Sequence, residues 1–262
     1  MVDSIVNHIK MIGVIKDRVS SIGGLPQLIM LSGSHMYGFN SKDSDYDYRG
    51  FYVMQTGKVV GLDGIQEHVM FTEDENDVDI TEVRKFLKLI LTMNCNTLEH
   101  IFTPALFETT LTIELRDIVS QMLSKKGIYD SYKGMAVTNY KKFIFTGKKK
   151  TVKKYLYVFR ALLAGCHALE YGTIEPNIVK LNKKYGVEIV DDLINDKITG
   201  LENDYATQKY SDGSTNIDNL VNAWIKTIDD AYIDSKLPPI PTHAQYDKLN
   251  KWLKEIRRSN WK

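Results

Sequence analysis

The apolar positions of the first twenty residues recur three or four residues apart. This spacing predicts an amphipathic helix that ends near Gly23 and Gly24. The residues of the stripe are Ile5, Ile9, Ile12, Ile15 and Val19. Because a one-sided apolar stripe is buried against another element, we expect this helix to pack on a sheet.

Three short segments that follow have the pattern of strands. They are residues 28–31, 49–54 and 77–81. The first is an apolar run that ends in a tight turn at residues 32–34, and the second is rich in aromatic and β-branched side chains and continues the segment around Asp45. The third alternates between polar and apolar positions, which is typical of a half-buried strand.

Helical spacing dominates the rest of the chain. A stripe at Val83, Phe86, Leu87, Ile90 and Leu91 predicts a helix, for which Thr81 is the expected cap. Strand patterns fade from about Pro104 onward, and helical patterns cover residues 113–123, 132–143, 152–171, 189–194, 220–232 and 246–256. We therefore predict an α+β protein with a mixed-sheet domain at 1–105, flanked by helices, and a helical domain at 106–262.

Composition and charge narrow the class of protein. With 43% hydrophobic residues in 262, the chain is expected to form a globular core. The net charge of +1 gives no global argument for nucleic-acid binding, so any site for a polyanion must be local. Cys95 and Cys166 lack the spacing of zinc ligands and fit a reducing compartment. The N-terminus mixes charged and apolar residues, which argues against a signal peptide or membrane span there and favours the cytosol.

The segment around Asp45 and Asp47 carries the first candidate chemistry. In an extended strand, these two side chains project from the same face and repel each other unless a cation lies between them. Carboxylate oxygens favour Mg²⁺, with Mn²⁺ as the alternative, and two carboxylate-bridged metals stabilise the attacking and leaving oxygens of a phosphoryl displacement. A solvated acidic pair is the competing interpretation of this pattern.

Gly33 and Ser34 add context to the acidic pair, because they follow an apolar strand. A glycine allows the backbone to approach a phosphate, and the serine hydroxyl and neighbouring amides are able to donate hydrogen bonds to it. The spacing between Ser34 and Asp45 leaves room for a helical turn and a return into the next strand. We therefore predict that the turn and the acids face each other.

Residues 31–34 and 45–48 together resemble the hydrophobic-Gly-Ser and Asp-x-Asp signature of the DNA polymerase β nucleotidyltransferase superfamily. More narrowly, residues 33–38 and 44–50 are similar to a group of predicted nucleotidyltransferases of bacteria and phages that is linked to RNA repair. The tract at 79–99 also resembles this group, although Asn94-Cys95 stands where the family pattern often has Asn-Pro.

The resemblance, which covers about residues 28–102, implies an activity and a set of roles. A metal-dependent nucleotidyltransferase is implied, with Asp45 and Asp47 as metal ligands and with Gly33 and Ser34 on the triphosphate. The superfamily uses a third carboxylate on a later strand, which the resemblance places at Asp79 as a further metal ligand that helps to activate the incoming hydroxyl. Asp77 shares the face of Asp79 and is the alternative.

Basic residues in the helical half are weaker candidates. Lys154 and Arg160 lie off the apolar stripe of the helix predicted at 152–171, so they are candidates to reach a cleft and bind the nucleotide. The lysine run at 148–150 is more consistent with a solvated helix start than with a phosphate site. Arg49 is equally compatible with a phosphate contact and with an acidic partner.

Three functions remain open on the sequence alone. The first transfers a nucleoside monophosphate, for example from ATP, to an RNA 3′ end such as that of tRNA. The second uses the same chemistry on a protein hydroxyl, and the third is a nucleotide-binding module without catalysis. Three acids beside a triphosphate argue against the third, because a non-catalytic binder has little use for them.

Overall fold

The computed structural model describes residues 2–42, 44–62, 64–74, 76–146, 150–199 and 217–261. In it, the N-terminal helix α1 (Val2–Ser21) is followed by a five-stranded mixed sheet. The strands are β1 (Gly24–Leu31), β2 (Asp47–Met54), β3 (His68–Glu73), β4 (Asn76–Glu82) and β5 (Ala105–Glu108). Their order is β3-β4-β2-β1-β5. The strands β2 and β4 are parallel, and the other neighbouring pairs are antiparallel.

Helices make up most of the remaining described chain. Among the first residues they are α2 (Gly33–Tyr37), α3 (Thr56–Val59), α4 (Val83–Leu91), α5 (Cys95–Phe102) and α6 (Thr110–Ser120). Further along they are α7 (Lys125–Asn139), a π-helical segment (Tyr140–Phe145), α8 (Val152–Tyr171), α9 (Ile178–Tyr185), α10 (Glu188–Ile198), α11 (Ile217–Asp234) and α12 (His243–Ser259). The α+β class and the helical C-terminal half are thereby confirmed.

The chain divides into two compact units. The sheet unit comprises residues 1–33, 45–122 and 241–262, and the helical unit comprises residues 34–44 and 123–240. The boundaries of these units differ from those of the predicted domains at 1–105 and 106–262. Helices α6 and α12 belong to the sheet unit, and the segment after Gly33 belongs to the helical unit. The predicted division into a catalytic domain at 1–105 and a helical domain for nucleotide or acceptor binding at 106–262 stays a prediction.

The core of the sheet unit lies between α1 and one face of the sheet. Met11, Ile15 and Val19 of α1 pack with buried residues of β2 and β4, among them Tyr48 and Val78. The prediction that α1 packs on a sheet is therefore confirmed.

Several sequence predictions for this unit are wrong in detail. Ile5 and Ile9 belong to the predicted apolar stripe but are more than half exposed. Strands β3 and β5 were not anticipated. Helix α4 is capped by Glu82 and not by Thr81, because the Glu82 carboxylate accepts a hydrogen bond from the backbone N–H of Arg84.

The helical unit is organised around α8. Helices α7, α9, α10 and α11 all pack on it, which buries α8 on nearly every side. The helix predicted at 152–171 is confirmed, and it ends at Gly172, whose φ of +65° suits a glycine. Among the described residues, no helix has both the length and the apolar character needed to cross a membrane.

Candidate active site

The turn after β1 brings Gly33 against the carboxylate of Asp47. Gly33 begins α2 with a φ of +61°, a left-handed conformation that residues with a side chain rarely adopt. A Cβ atom at this position would collide with Oδ2 of Asp47. Glycine therefore allows the carboxylate to lie directly over the turn.

Strand pairing holds Asp47 at this place. Leu31 and Tyr48 are register partners in the antiparallel pair of β1 and β2, and the N–H of Ser32 donates to the carbonyl oxygen of Asp47 at 2.8 Å. The first residue of β2 thus lies beside the residues that follow β1. The Asp47 side chain remains 34% exposed, so a ligand is able to reach it.

Asp45 lies in the segment that leads into β2 and is exposed. The prediction that Asp45 and Asp47 project from one strand is therefore wrong for Asp45. Extended pairing does reach one residue beyond the strand, because the carbonyl oxygen of Tyr46 accepts a hydrogen bond from the N–H of Asp77 at 3.1 Å. The strand geometry thus orients Asp47 but leaves Asp45 less constrained.

Three acids share one face of the sheet. In the parallel pair of β2 and β4, Asp47 is the register partner of Asp77, and Arg49 is the register partner of Asp79. Register partners and alternate residues of neighbouring strands project from the same face. The three acids and Arg49 therefore lie on the face opposite to α1, while the residues between them are buried in the core.

Arg49 lies between two of these acids. Its Nη2 atom is 2.6 Å from Oδ2 of Asp77 and 3.5 Å from Oδ1 of Asp47, and its Nη1 atom donates to the carbonyl oxygens of Asp77 and Tyr48. The acidic partner, which was one of two interpretations of Arg49, is therefore observed. The carboxylate of Asp77 is therefore paired with a cation.

Asp79 has a different neighbour, the imidazole of His68. The Nδ1 atom of His68 lies 2.9 Å from Oδ1 of Asp79, and both side chains are partly exposed. Sequence reasoning missed His68, which begins the unpredicted strand β3. The alternation of residues 68–73 was the available signal, but the contact itself depends on the pairing of β3 with β4.

The acids do not form a preassembled metal site. Within the part of the chain that the structure describes, no three His, Cys, Asp or Glu side chains are grouped so as to hold a metal ion. Asp79 is turned toward His68, and Asp47 lies near Arg49. Convergence of Asp45, Asp47 and Asp79 on a metal therefore stays a prediction.

The residues after Gly33 belong to the helical unit. The carbonyl oxygen of Ser34 accepts hydrogen bonds from the N–H groups of Gly38 and Phe39, at 3.0 and 3.2 Å, which close the short turn of α2. The Nε2 atom of His35 lies 3.5 Å from the carbonyl oxygen of Ser44. A phosphate contact by Ser34 stays a prediction.

The two basic candidates of α8 differ in burial. Arg160 is fully buried, with its guanidinium carbon 4.0 Å from the ring centroid of Tyr37 and its Nη2 atom 3.1 Å from Sδ of Met135. The expectation that Arg160 stays outside the core is wrong, because helices surround α8 on nearly every side. Lys154 is partly exposed and lies 5.8 Å from the ring centroid of Phe143.

Nucleotide binding by Lys154 and Arg160 stays a prediction. Of the lysine run at 148–150, only Lys150 is among the described residues, and it forms an ion pair with Asp218 at 3.2 Å. Residues 148 and 149 lie outside the described part of the chain.

Comparison with known proteins identifies relatives of this chain. The family model of the RNA repair pathway DNA polymerase beta family matches residues 28–255. The uncharacterized protein YcgL of Bacillus subtilis (strain 168) is 34% identical over 151 residues. That match covers 55% of this chain and 56% of YcgL, so it spans little more than half the length of the relative.

A solved structure shows only remote similarity. The crystal structure of a nucleotidyltransferase-like protein from Exiguobacterium sibiricum 255-15 is 10% identical, and the alignment covers 89% of this chain and 74% of that one. The TM-score is 0.25, which is too low to transfer that fold to this chain.

Proposed function

The chain belongs to the RNA repair pathway DNA polymerase beta family, a family of nucleotidyltransferases, and we propose that it moves a nucleoside monophosphate from a nucleoside triphosphate to the 3′ hydroxyl of an RNA. The observation that carries this proposal is the contact between Gly33 and Asp47. It sets a carboxylate directly over the turn, so a cation held by that carboxylate would also be able to meet a phosphate bound by the backbone of the turn.

The donor set on this face fits a hard divalent cation. Asp47 and Asp79 lie on one face of two adjacent parallel strands, and Asp45 stands just before the first of them. Carboxylate oxygens of this kind favour Mg²⁺ or Mn²⁺, so these three residues would hold the metal. When bound, the cation would neutralise charge on the triphosphate and favour departure of pyrophosphate.

The phosphates would be bound by the turn itself. Gly33 lacks a side chain that would obstruct them, and the hydroxyl of Ser34 is able to donate a hydrogen bond. We propose Lys154 as a further phosphate contact, since its side chain is partly exposed. Arg160 is a weaker candidate than the sequence suggested, because its guanidinium is buried against Tyr37.

Asp79 would act on the acceptor. The 3′ oxygen forms a bond to the α-phosphorus, the bond from that phosphorus to pyrophosphate breaks, and the hydroxyl proton passes to the Asp79 carboxylate. The hydrogen bond from His68 supports this role, since it fixes the orientation of the carboxylate. Asp77 is less suited, because its carboxylate is already paired with Arg49 at 2.6 Å.

The acceptor is proposed from the description of the family, which names an RNA repair pathway. A tRNA-like 3′ end supplies the hydroxyl that the reaction needs. A protein hydroxyl would serve the same chemistry, so both kinds of acceptor belong in the experiment.

The test is a labelling assay with matched variants. The protein is incubated with each α-labelled nucleoside triphosphate, Mg²⁺ or Mn²⁺, and either total tRNA or total cell protein. We expect label on RNA, and we expect Asp47→Asn to lower the rate about 100-fold or more, because a metal ligand contributes several kcal/mol to transition-state stabilisation. Asp17→Asn, an exposed change on α1, is the control and should retain the rate.

Three results would overturn the proposal. Label on protein alone would replace the RNA acceptor, and an undiminished rate in Asp47→Asn would remove the proposed metal site. Absence of label from every acceptor, with nucleotide binding retained, would leave a binding module in place of an enzyme.

A further inference from the structure

A groove between α4 and α12 lies on the surface of the sheet unit. It has a volume of about 210 Å³ and is lined by one stripe of each helix. The apolar floor consists of Leu87, Leu91, Leu249 and Leu253. Positions three and four residues apart on a helix lie on one side, so each helix presents a continuous face to the groove.

Two cations stand on the α4 side of the groove. Arg84 and Lys88 are exposed, lie one helical turn apart, and form no ion pair with any residue in the described part of the chain. The nearby Glu67 is already bound by Lys85 at 3.2 Å. The positive charge of this side is therefore available to a ligand.

The second helix adds to this charge. Helix α12 carries five lysine or arginine residues and two acidic residues, and α4 carries three basic residues and no acidic one. One of these five, Arg257, pairs with Glu82 at the start of α4 and so adds no net charge, which leaves four. A local positive field thus exists on a chain whose net charge is only +1, which favours an anionic partner.

An aromatic ring lies at the groove on the α12 side. Tyr246 lines the groove and is 44% exposed, and His243 stacks on it with ring planes 20° apart. The amide of Asn250, one turn further along α12, offers a hydrogen-bonding group beside the ring. Cations beside an exposed aromatic ring are the features by which proteins bind single-stranded nucleic acid.

The apolar floor argues against a helical protein partner. Leu87 and Leu249 are only 4% and 2% exposed, so much of the floor is already buried by the protein itself. A docking helix derives its affinity from burial of apolar surface, and of the floor only the exposed parts of Leu91 and Leu253 remain to be buried. The cations and the ring are the groups that are left for a partner.

We propose that this groove binds a single-stranded segment of the RNA acceptor. Arg84 and Lys88 contact its phosphates, and a base stacks on Tyr246. Strand β4 carries Asp79, the proposed acceptor of the hydroxyl proton, and runs directly through Glu82 into α4. RNA bound in the groove therefore lies on the helix that follows Asp79 in the chain. The inference rests on the proposed function for the identity of the partner as RNA.

The test is equilibrium binding of a fluorescent single-stranded 12-nucleotide RNA to the full chain at several salt concentrations. The Arg84→Ala and Lys88→Ala double variant should bind about tenfold more weakly, with a salt slope smaller by about 0.7 for each phosphate that the variant no longer neutralises. Tyr246→Ala should lose about fivefold or more, and Tyr246→Phe should retain binding because the ring is kept.

The matched control removes two exposed helical lysines of the other unit, Lys183→Ala and Lys226→Ala, and should leave affinity unchanged. Equal affinity in wild type and the groove variants overturns the inference, as does an equal loss in the control or no RNA binding by the wild type. The assay is separable from the proposed function, because binding is measured without a nucleoside triphosphate and therefore requires no transfer reaction. If RNA is labelled but the groove variants bind it normally, only the proposal for the groove is contradicted. If binding depends on the groove but no RNA is labelled, only the proposed transfer reaction is contradicted.

Discussion

The α-carbon of Gly33 lies against the carboxylate of Asp47, so closely that any side chain at position 33 would displace that carboxylate. The two residues come from different elements, the start of α2 and the start of β2. Pairing of β1 with β2 brings them together. The identity of one residue therefore determines the position of the other, which is the basis of the first prediction.

Gly33→Ala should lower the nucleotidyl-transfer rate about 100-fold, because a displacement of about 1 Å is enough to disrupt a reacting group. The left-handed backbone should also cost the folded state about 1–2 kcal/mol. Transfer rate and thermal unfolding measure the two effects. Gly13→Ala on α1 is the control, since nothing lies within 4 Å of its added Cβ. Full activity in Gly33→Ala would contradict the proposed role of the turn.

The two acids of β4 should respond differently to neutralisation. Asp79→Asn should abolish transfer while nucleotide binding persists, because the carboxylate that accepts the hydroxyl proton is lost. Asp77→Asn removes the exposed ion pair with Arg49 and should change the rate only a few-fold. Transfer rates and nucleotide affinity of both variants decide the assignment. Loss of transfer in Asp77→Asn alone would move the catalytic role to Asp77.

The sequence predicted Gly33 and Asp47 because their motifs are local, whereas Asp79 was assigned by the family resemblance, with Asp77 as the alternative. Strand β2 was anticipated from its aromatic and β-branched residues, and the parallel register with β4 places Asp79 on the face of Asp47. The partners of these acids could not be predicted in the same way. Contact between His68 and Asp79 depends on a pairing of two strands, and β3 was not recognised from its short alternating pattern.

Burial of Arg160 was unpredictable for a similar reason. The sequence of its helix shows an apolar stripe on one side, and Arg160 lies off that stripe, where an exposed side chain is expected. In the folded unit, four helices surround α8, and the guanidinium packs on Tyr37, a residue far away in the sequence. Strand β5 was not predicted because it has only four residues, which alternate between partly buried and exposed positions. A stretch this short carries little periodic signal.

Arg257 should stabilise the sheet unit. Its guanidinium contacts Glu82, whose side chain is 2% exposed, and donates to the carbonyl oxygen of Met54 at 2.7 Å. Arg257→Ala leaves the Glu82 carboxylate buried without its partner, which should lower the free energy of unfolding by about 3–5 kcal/mol. Chemical denaturation measures this change.

The neighbouring Arg258→Ala is the control for this position. Arg258 is exposed, so its loss should alter the free energy of unfolding by no more than about 0.5 kcal/mol. Adding Glu82→Gln to Arg257→Ala should recover part of the loss, because the buried charge is removed. Equal stability of the wild type and Arg257→Ala would show that the ion pair contributes nothing.

His167 should make the stability of the chain fall at acid pH. Burial and the charge of Lys184 lower the pKa of its imidazole from 6.5, and Nδ1 is buried without a hydrogen-bond partner among the described residues. The unfolded chain therefore binds the proton more readily than the folded chain, so stability is lost as the pH falls below 6.5 through the lower pKa of the folded state. Unfolding of wild type and His167→Gln between pH 7 and pH 5 should show a smaller loss in the variant. An identical pH profile would contradict this assignment.

The proposed nucleotidyl transfer is tested most directly by following the α- and the γ-phosphorus of the nucleoside triphosphate separately. The protein is incubated with the RNA acceptor, Mg²⁺ and a nucleoside triphosphate labelled at either the α- or the γ-phosphorus, with and without a metal chelator. Nucleotidyl transfer predicts α-label on RNA, γ-label in pyrophosphate in equal amount, and neither product with the chelator. Transfer of γ-label to RNA, or undiminished α-labelling in the presence of the chelator, would contradict the account.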